Sequence, residues 1–177
     1  MKKIALIIAF KGFQDQEYFE TRRVLELAGY QVDVFSSQIG LARGAEGGEV
    51  KIDTSLDQLS LRHYRALVLI GGPGALKFLD NDLVYSLVRE AFSSQDLILA
   101  AICIAPLILV RSVDLKDRSM TVWSSALDRS AVKELEKRGV NYLDQPVVTD
   151  GRLITADGPA SAELFAQTIV SELDKLK

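Results

Sequence analysis

Apolar and polar positions along this chain alternate in blocks rather than singly. "KKIALIIA" and "YQVDVFSS" are short, mainly apolar runs, and residues 15–28 between them carry helical spacing that stops at Gly29, a residue suited to a left-handed cap. That order predicts a βαβ unit. "RALVLIGG" predicts a third strand, and "DLVYSLVREAF" a helix with Leu83, Leu87, Val88 and Phe92 along one face. "LILAAI" predicts a fourth strand. Near-continuous apolar runs suit strands buried on both faces, so their alternation with helices predicts an α/β protein built on a mostly parallel sheet.

Two segments depart from the alternation. "LARGAEGGEVKID" is glycine-rich and reads as a loop or small hairpin, and "PVVTDGRLITA" sets two apolar runs around Asp150-Gly151, a strong hairpin signal. Both are expected at the sheet's edge. From Pro159 onward Ala162, Phe165, Ala166, Ile169 and Leu173 form one stripe, which predicts a closing helix docked on the sheet. No repeat, low-complexity stretch or Pro/Ser linker divides the chain, so residues 1–177 are expected to form a single domain.

Composition removes several function classes. With 48% hydrophobic and 25% charged residues the chain matches ordinary globular proteins rather than disordered or fibrous ones. A net charge of -3 without a basic stripe offers no phosphate-neutralising surface, so no nucleic-acid partner is expected. No run reaches the ~18 apolar residues of a membrane span, so no membrane partner is expected either. The opening "MKKIALIIAF" lacks a small-residue cleavage site and reads as a buried strand rather than a signal peptide. One cysteine cannot form an internal disulfide, which fits a reducing cytoplasm.

Candidate chemistry gathers where ligands collect in open parallel sheets, beyond the carboxyl ends of the strands. "KGFQDQE" follows strand one, "GGPGA" follows strand three, and Cys103 ends strand four with "IAPLILV" continuing as a helix. A free cysteine after an apolar run can be inert core. At a strand-to-helix elbow it instead projects into the crevice, and the positive end of a helix favours the reactive thiolate. Glu17 can likewise be a solvated acid favourable to the first helical turn, or a carboxyl that titrates together with the sulfur if the two loops converge.

"GGPGALK" fails as a phosphate loop because Lys77 is followed by Phe78 rather than Ser or Thr. Its glycines serve either a tight turn or close approach of a ligand, with backbone N–H groups of Gly71 and Gly72 and that of Ile104 as donors. His63 is the sole histidine. It precedes strand three, at the end of the sheet opposite the crevice, so a Cys-His dyad or a Ser-His-Asp triad is not expected. One Cys and one His also leave no ordinary zinc site, and no metal or cofactor is expected. Trp123 is expected in the core or the pocket wall.

Across nearly its whole length the chain resembles the ThiJ/PfpI superfamily. The resemblance is carried by "GFQDQE" with "AGYQV", by "LVLIGGPGA", "AAICIAP" and "VVTDGRLITADGPA", and by the final helix. It implies a flavodoxin-like three-layer sandwich with an elbow cysteine at Cys103, a nearby glutamate at Glu17, backbone donors at Gly72 and Ile104, and a homodimer or higher homo-oligomer. Gln14 stands where relatives often carry another acid. Protease-like relatives place histidine directly after the cysteine, and others keep one in the segment matching "TVWSS". Here those places hold Ile104 and Trp123 with serines, so the chain resembles the cysteine-glutamate branch.

The implied activity is attack of Cys103 on a small reactive aldehyde or its adduct, glyoxalase- or deglycase-like, with Glu17 moving protons. The alternative is a redox-responsive stress or chaperone-like protein whose cysteine meets an oxidant without turnover. A PfpI-type protease or amidase ranks below both, because a thiolate without imidazole lacks the usual proton donor for expelling an amine.

Overall fold

The computed structural model describes residues 2–176. In chain order the elements are β1 (Lys3–Ile7), β2 (Lys11–Phe13), α1 (Asp15–Leu27), β3 (Gln31–Ser36), β4 (Gly40–Gly44), β5 (Glu49–Ile52) and β6 (Thr54–Ser55). Then come β7 (Tyr64–Leu69), α2 (Ala75–Phe78), α3 (Asp82–Ser93), β8 (Ile98–Ile102), α4 (Pro106–Ser112), β9 (Ser119–Met120) and α5 (Ser130–Lys137). The chain ends with β10 (Asn141–Tyr142), β11 (Val147–Asp150), β12 (Leu153–Ala156) and α6 (Ala162–Lys175).

Seven strands form the central sheet in the order β11-β12-β8-β7-β1-β3-β6, and every neighbouring pair is parallel except β11 with β12. This is the flavodoxin-like α/β sandwich. On β1, β7 and β8 the even-numbered residues, among them Leu6, Val68 and Ala100, enter the apolar layer shared with α1 and α6. Their odd-numbered neighbours, among them Ile7, Leu69 and Ala101, enter the layer shared with α3, α4 and α5. The two-residue side-chain period of a strand therefore feeds two cores, which is why the runs are apolar throughout.

Several expectations hold locally. α1 ends at an Ala28 cap followed by Gly29 at φ +85°, and the stripe Ala162, Phe165, Ala166, Ile169 and Leu173 on α6 is buried throughout. Asp150 opens the β11–β12 hairpin, and that hairpin does form the sheet's edge.

Two expectations are corrected. The hairpin over residues 40–52 leaves the central sheet's edge and pairs with β2 in a separate three-stranded sheet, because β2 offers it a parallel partner next to the start of α1. The buried face of α3 is Val84, Leu87, Val88 and Ala91, while Leu83 is exposed and Phe92 half-buried. Small Ala91 takes the buried place that the larger Phe92 does not, so that choice of face is set by packing rather than by summed hydrophobicity. Among the described residues, no helix is long and apolar enough to cross a membrane.

Candidate active site

β1, β7 and β8 end side by side, and the residues that follow them converge. Cys103 comes directly after β8 and has φ +64°, the left-handed region that costs an L-residue roughly 1–2 kcal/mol. Such strain persists only where the surroundings over-determine it. Here the Cys103 N–H donates to the Ala156 carbonyl at the end of β12 (2.9 Å), and its own carbonyl accepts from the Trp123 N–H (2.8 Å). Ala105 and Pro106 then start α4, with proline at a first-turn position that needs no N–H.

Glu17 reaches the sulfur from α1. Gln14 caps that helix, its side-chain oxygen accepting the Glu17 N–H at 2.8 Å, and the Gln14 N–H donates to the Gly71 carbonyl at 3.0 Å. These bonds hold the first turn of α1 against the loop after β7. The Glu17 side chain is fully buried, and its Oε2 accepts the Gly71 N–H at 2.9 Å. Its Oε1 lacks a conventional hydrogen-bond partner, and the carboxyl's other polar neighbour is the Cys103 side chain. A Cβ on Gly71 would sit 2.6 Å from the Cys103 Cβ and 2.9 Å from Glu17 Oε2, so only glycine fits there. Gly72, at φ +110°, would drive a Cβ into the Gln14 backbone.

The N–H groups of Gly72 and Ile104 both point at the sulfur. They draw the thiol downward, but burial and the adjacent Glu17 carboxylate outweigh them, and the net effect pushes the Cys103 thiol well above its ordinary value. This reverses the direction expected from a helix N-terminus alone. α4 is only seven residues long, and a buried carboxylate in contact is the stronger field. Burial likewise pushes Glu17 up to about 7, against the lowering pull of the Cys103 and Gly71 hydrogen bonds. With Glu17 ionised, the thiol keeps its proton. With Glu17 protonated, its O–H can donate to the sulfur and the like-charge penalty disappears. The two groups titrate as a pair.

Glu17, Gly71, Gly72, Cys103 and Ile104 thus come together, Ile104 lying half-buried between the two apolar layers. Trp123 stands beside the elbow, joined to Cys103 by the backbone bond already described and packed against the α1–α6 layer. His63 lies elsewhere, lining an open cavity with Lys3, Asp33 and Tyr64.

One residue of the site was not singled out from sequence. Asp15 is buried at the start of α1 and accepts the N–H groups of Glu46 (2.8 Å) and Gly48 (2.6 Å) at the β4–β5 turn. A Cβ on Gly44 or Gly48 would press on the Asp15 carboxyl and force it to move, and Gln14 Nε2 donates to Glu46 Oε1 at 2.8 Å. Asp15 therefore pins the separate small sheet over the first turn that carries Glu17. The signal was present as an acid one residue past a helix cap and a glycine-dense turn, but the two lie some thirty residues apart in sequence.

A sequence model of the DJ-1/PfpI family matches residues 2–172. The chain belongs to the DJ-1/PfpI family. An uncharacterized protein of Methanocaldococcus jannaschii is 34% identical over 98% of this chain and 83% of its own length. Among solved structures, a ThiJ/PfpI domain protein from Brachyspira murdochii superposes with a TM-score of 0.88 at 30% identity, covering 99% of this chain and 98% of that one. DJ-1beta of Drosophila melanogaster superposes at 0.82 and 29% identity, covering 99% and 93% respectively. The elements that carry Glu17, Gly72 and Cys103 lie within the matched residues.

Proposed function

We propose that this protein is a cysteine-dependent enzyme for small 2-oxoaldehydes or their adducts, with Cys103 as nucleophile and Glu17 as the group that moves protons. The observation that carries the reading is a fully buried carboxyl beside the sulfur, with no cation among the described residues to neutralise it and one oxygen without a conventional partner. Held near neutrality in its titration, such a carboxyl can both give and take a proton at ordinary pH.

The Cys103 sulfur, its proton passed to Glu17, adds to the aldehyde carbon. The carbonyl oxygen takes the negative charge and then a proton from Glu17, giving a hemithioacetal. The N–H groups of Gly72 and Ile104, directed at the sulfur in the free protein, are the donors for that oxygen. Glu17 removes the proton from the former aldehyde carbon, and reprotonation at the neighbouring carbon produces a thioester. Water then releases a 2-hydroxy acid and restores the thiol. The net change is addition of one water to the oxoaldehyde, with no external oxidant or reductant.

The test is lactate formation from methylglyoxal, followed by proton NMR. Wild type produces lactate and Cys103→Ser does not. Equal lactate from both proteins overturns the proposal.

The unpartnered Glu17 Oε1 also supports a second reading, oxidation of Cys103 to sulfenic and then sulfinic acid, since an oxygen added to the sulfur could share a proton with it. Intact mass after graded peroxide separates the two. Oxygen gain at Cys103 without lactate turnover favours the sensor.

A further inference from the structure

We propose that Arg111 is a positioning residue for Cys103, joining the two short helical segments that present the Gly72 and Ile104 N–H groups so that both donors stay aimed at one sulfur. The inference concerns the state of the thiol and is independent of the turnover proposed above.

The two donors stand on separate segments. The β7–β8 ladder ends at Leu69 with Ala101, before either donor is reached, and beyond it the backbone bonds of the two loops run to different neighbours. The Gly71 carbonyl accepts from Gln14 at 3.0 Å, and the Gly74 N–H donates to Gly12 at 2.8 Å. Cys103 is instead bonded to Ala156 of β12 and to Trp123. Those bonds locate each loop without setting the gap between them.

From each donor a hydrogen-bonded path leads to the same ion pair. The Gly72 carbonyl accepts from Ala75 at 3.0 Å, the Ala75 carbonyl accepts from Leu79 at 2.8 Å, and Asp80 comes next. The Ile104 carbonyl accepts from Leu107 at 3.1 Å, and α4 carries that turn on to Arg111. Arg111 Nη1 donates to Asp80 Oδ2. A helix as short as α4 spans about 10 Å and moves as one piece, so a displacement at the ion pair is felt at Ile104.

The pair is built to hold a direction. Nε and Nη2 of Arg111 both donate to the Glu134 carboxylate of α5, at 2.8 and 2.6 Å, which fixes the plane of the guanidinium and leaves Nη1 for Asp80. The Tyr85 O–H of α3 donates to the other Asp80 oxygen. Arg111 is the one charged side chain of α4, whose other residues are all buried, and the side chains of Arg111 and Asp80 are only 23% and 19% exposed. Cys103 gives such a restraint its use. A residue held at φ +64° relaxes unless the segments around it are fixed from outside.

The test is the pH dependence of Cys103 alkylation by iodoacetamide in full-length Glu17→Gln protein, where the neighbouring carboxylate no longer dominates the titration. Asp80→Ala cuts the link to the Gly72 segment and leaves Arg111 on Glu134, whereas Arg111→Lys keeps the positive charge and gives up the fork. Each, added to Glu17→Gln, should raise the alkylation midpoint by about one pH unit, a tenfold loss of preference for the thiolate, because an N–H that stabilised it is no longer aimed at the sulfur. The sign separates geometry from charge. Removing the Asp80 carboxylate would by its field alone lower the midpoint, so a fall in Asp80→Ala overturns the proposal. An unmoved midpoint in either variant, with lowered stability in a denaturant titration, would leave Arg111 a purely structural residue and overturn it equally.

Discussion

Glu17 and Asp33 are both carboxyl groups next to central strands, and their surroundings drive them in opposite directions. Asp33 sits among three donors, Lys3 at 3.0 Å, Tyr64 at 2.8 Å and Gln31 at 2.7 Å, which together hold its carboxyl below the ordinary value despite partial burial. Among the described residues the Glu17 carboxyl receives one backbone N–H and no cation, and burial drives it up to about 7. Asp15 is buried as well, and its carboxyl is given two N–H groups. Depth alone does not make a carboxyl available for proton transfer. What counts is depth without a matching set of donors, and in this molecule that combination occurs beside the sulfur.

The largest expected effect from breaking the comparison is on turnover. Glu17→Gln keeps the shape but cannot exchange a proton, and should lower lactate formation by about 10²–10⁴-fold. Removing its charge also removes the chief like-charge penalty on the sulfur, so the midpoint of Cys103 alkylation against pH should fall in Glu17→Gln. A midpoint that stays in place would make Cys103 insensitive to its neighbour. Gly71→Ala would disrupt the Gly71 N–H bond to the Glu17 carboxyl and should cost about 3 kcal/mol in a denaturant titration.

Stability against pH gives a subtler contrast. Glu17 binds its proton more tightly folded than unfolded, so the fold is favoured at acid pH and loses stability as pH rises from the ordinary 4.5 through about 7. Glu17→Gln should therefore gain about 2–3 kcal/mol over wild type near pH 8 and nothing near pH 4.5. Asp33 has the opposite sign: its contribution is present above its ordinary value of 3.8 and is lost as pH falls below it. Because the pair with Lys3 is partly exposed, Asp33→Asn should cost no more than about 1 kcal/mol at neutral pH.

Much of the architecture was legible because it follows from local signals. Gly29 after residues 15–28, the Asp150-Gly151 turn and the stripe from Ala162 to Leu173 each combine a short-range pattern with a turn or cap residue. Cys103 was placed at the elbow for the same reason, since the end of "LILAAI" and the proline at 106 bracket it. The hairpin at 40–52 was legible but not its departure from the central sheet, and of the α3 face only Leu87 and Val88 were. Leu83 was an apolar residue at a plausible spacing that packing left outside, and β2 is a three-residue strand within a polar loop.

The sequence by itself determined the order of the main strands and helices, the cap after α1 and the candidate pair Cys103 and Glu17, because periodicity, turn chemistry and residue type act over a few positions. Tertiary structure decided the direction in which that pair titrates and the pinning of the small sheet by Asp15. Each depends on which distant groups share a volume from which water is excluded, and on which are left without a partner.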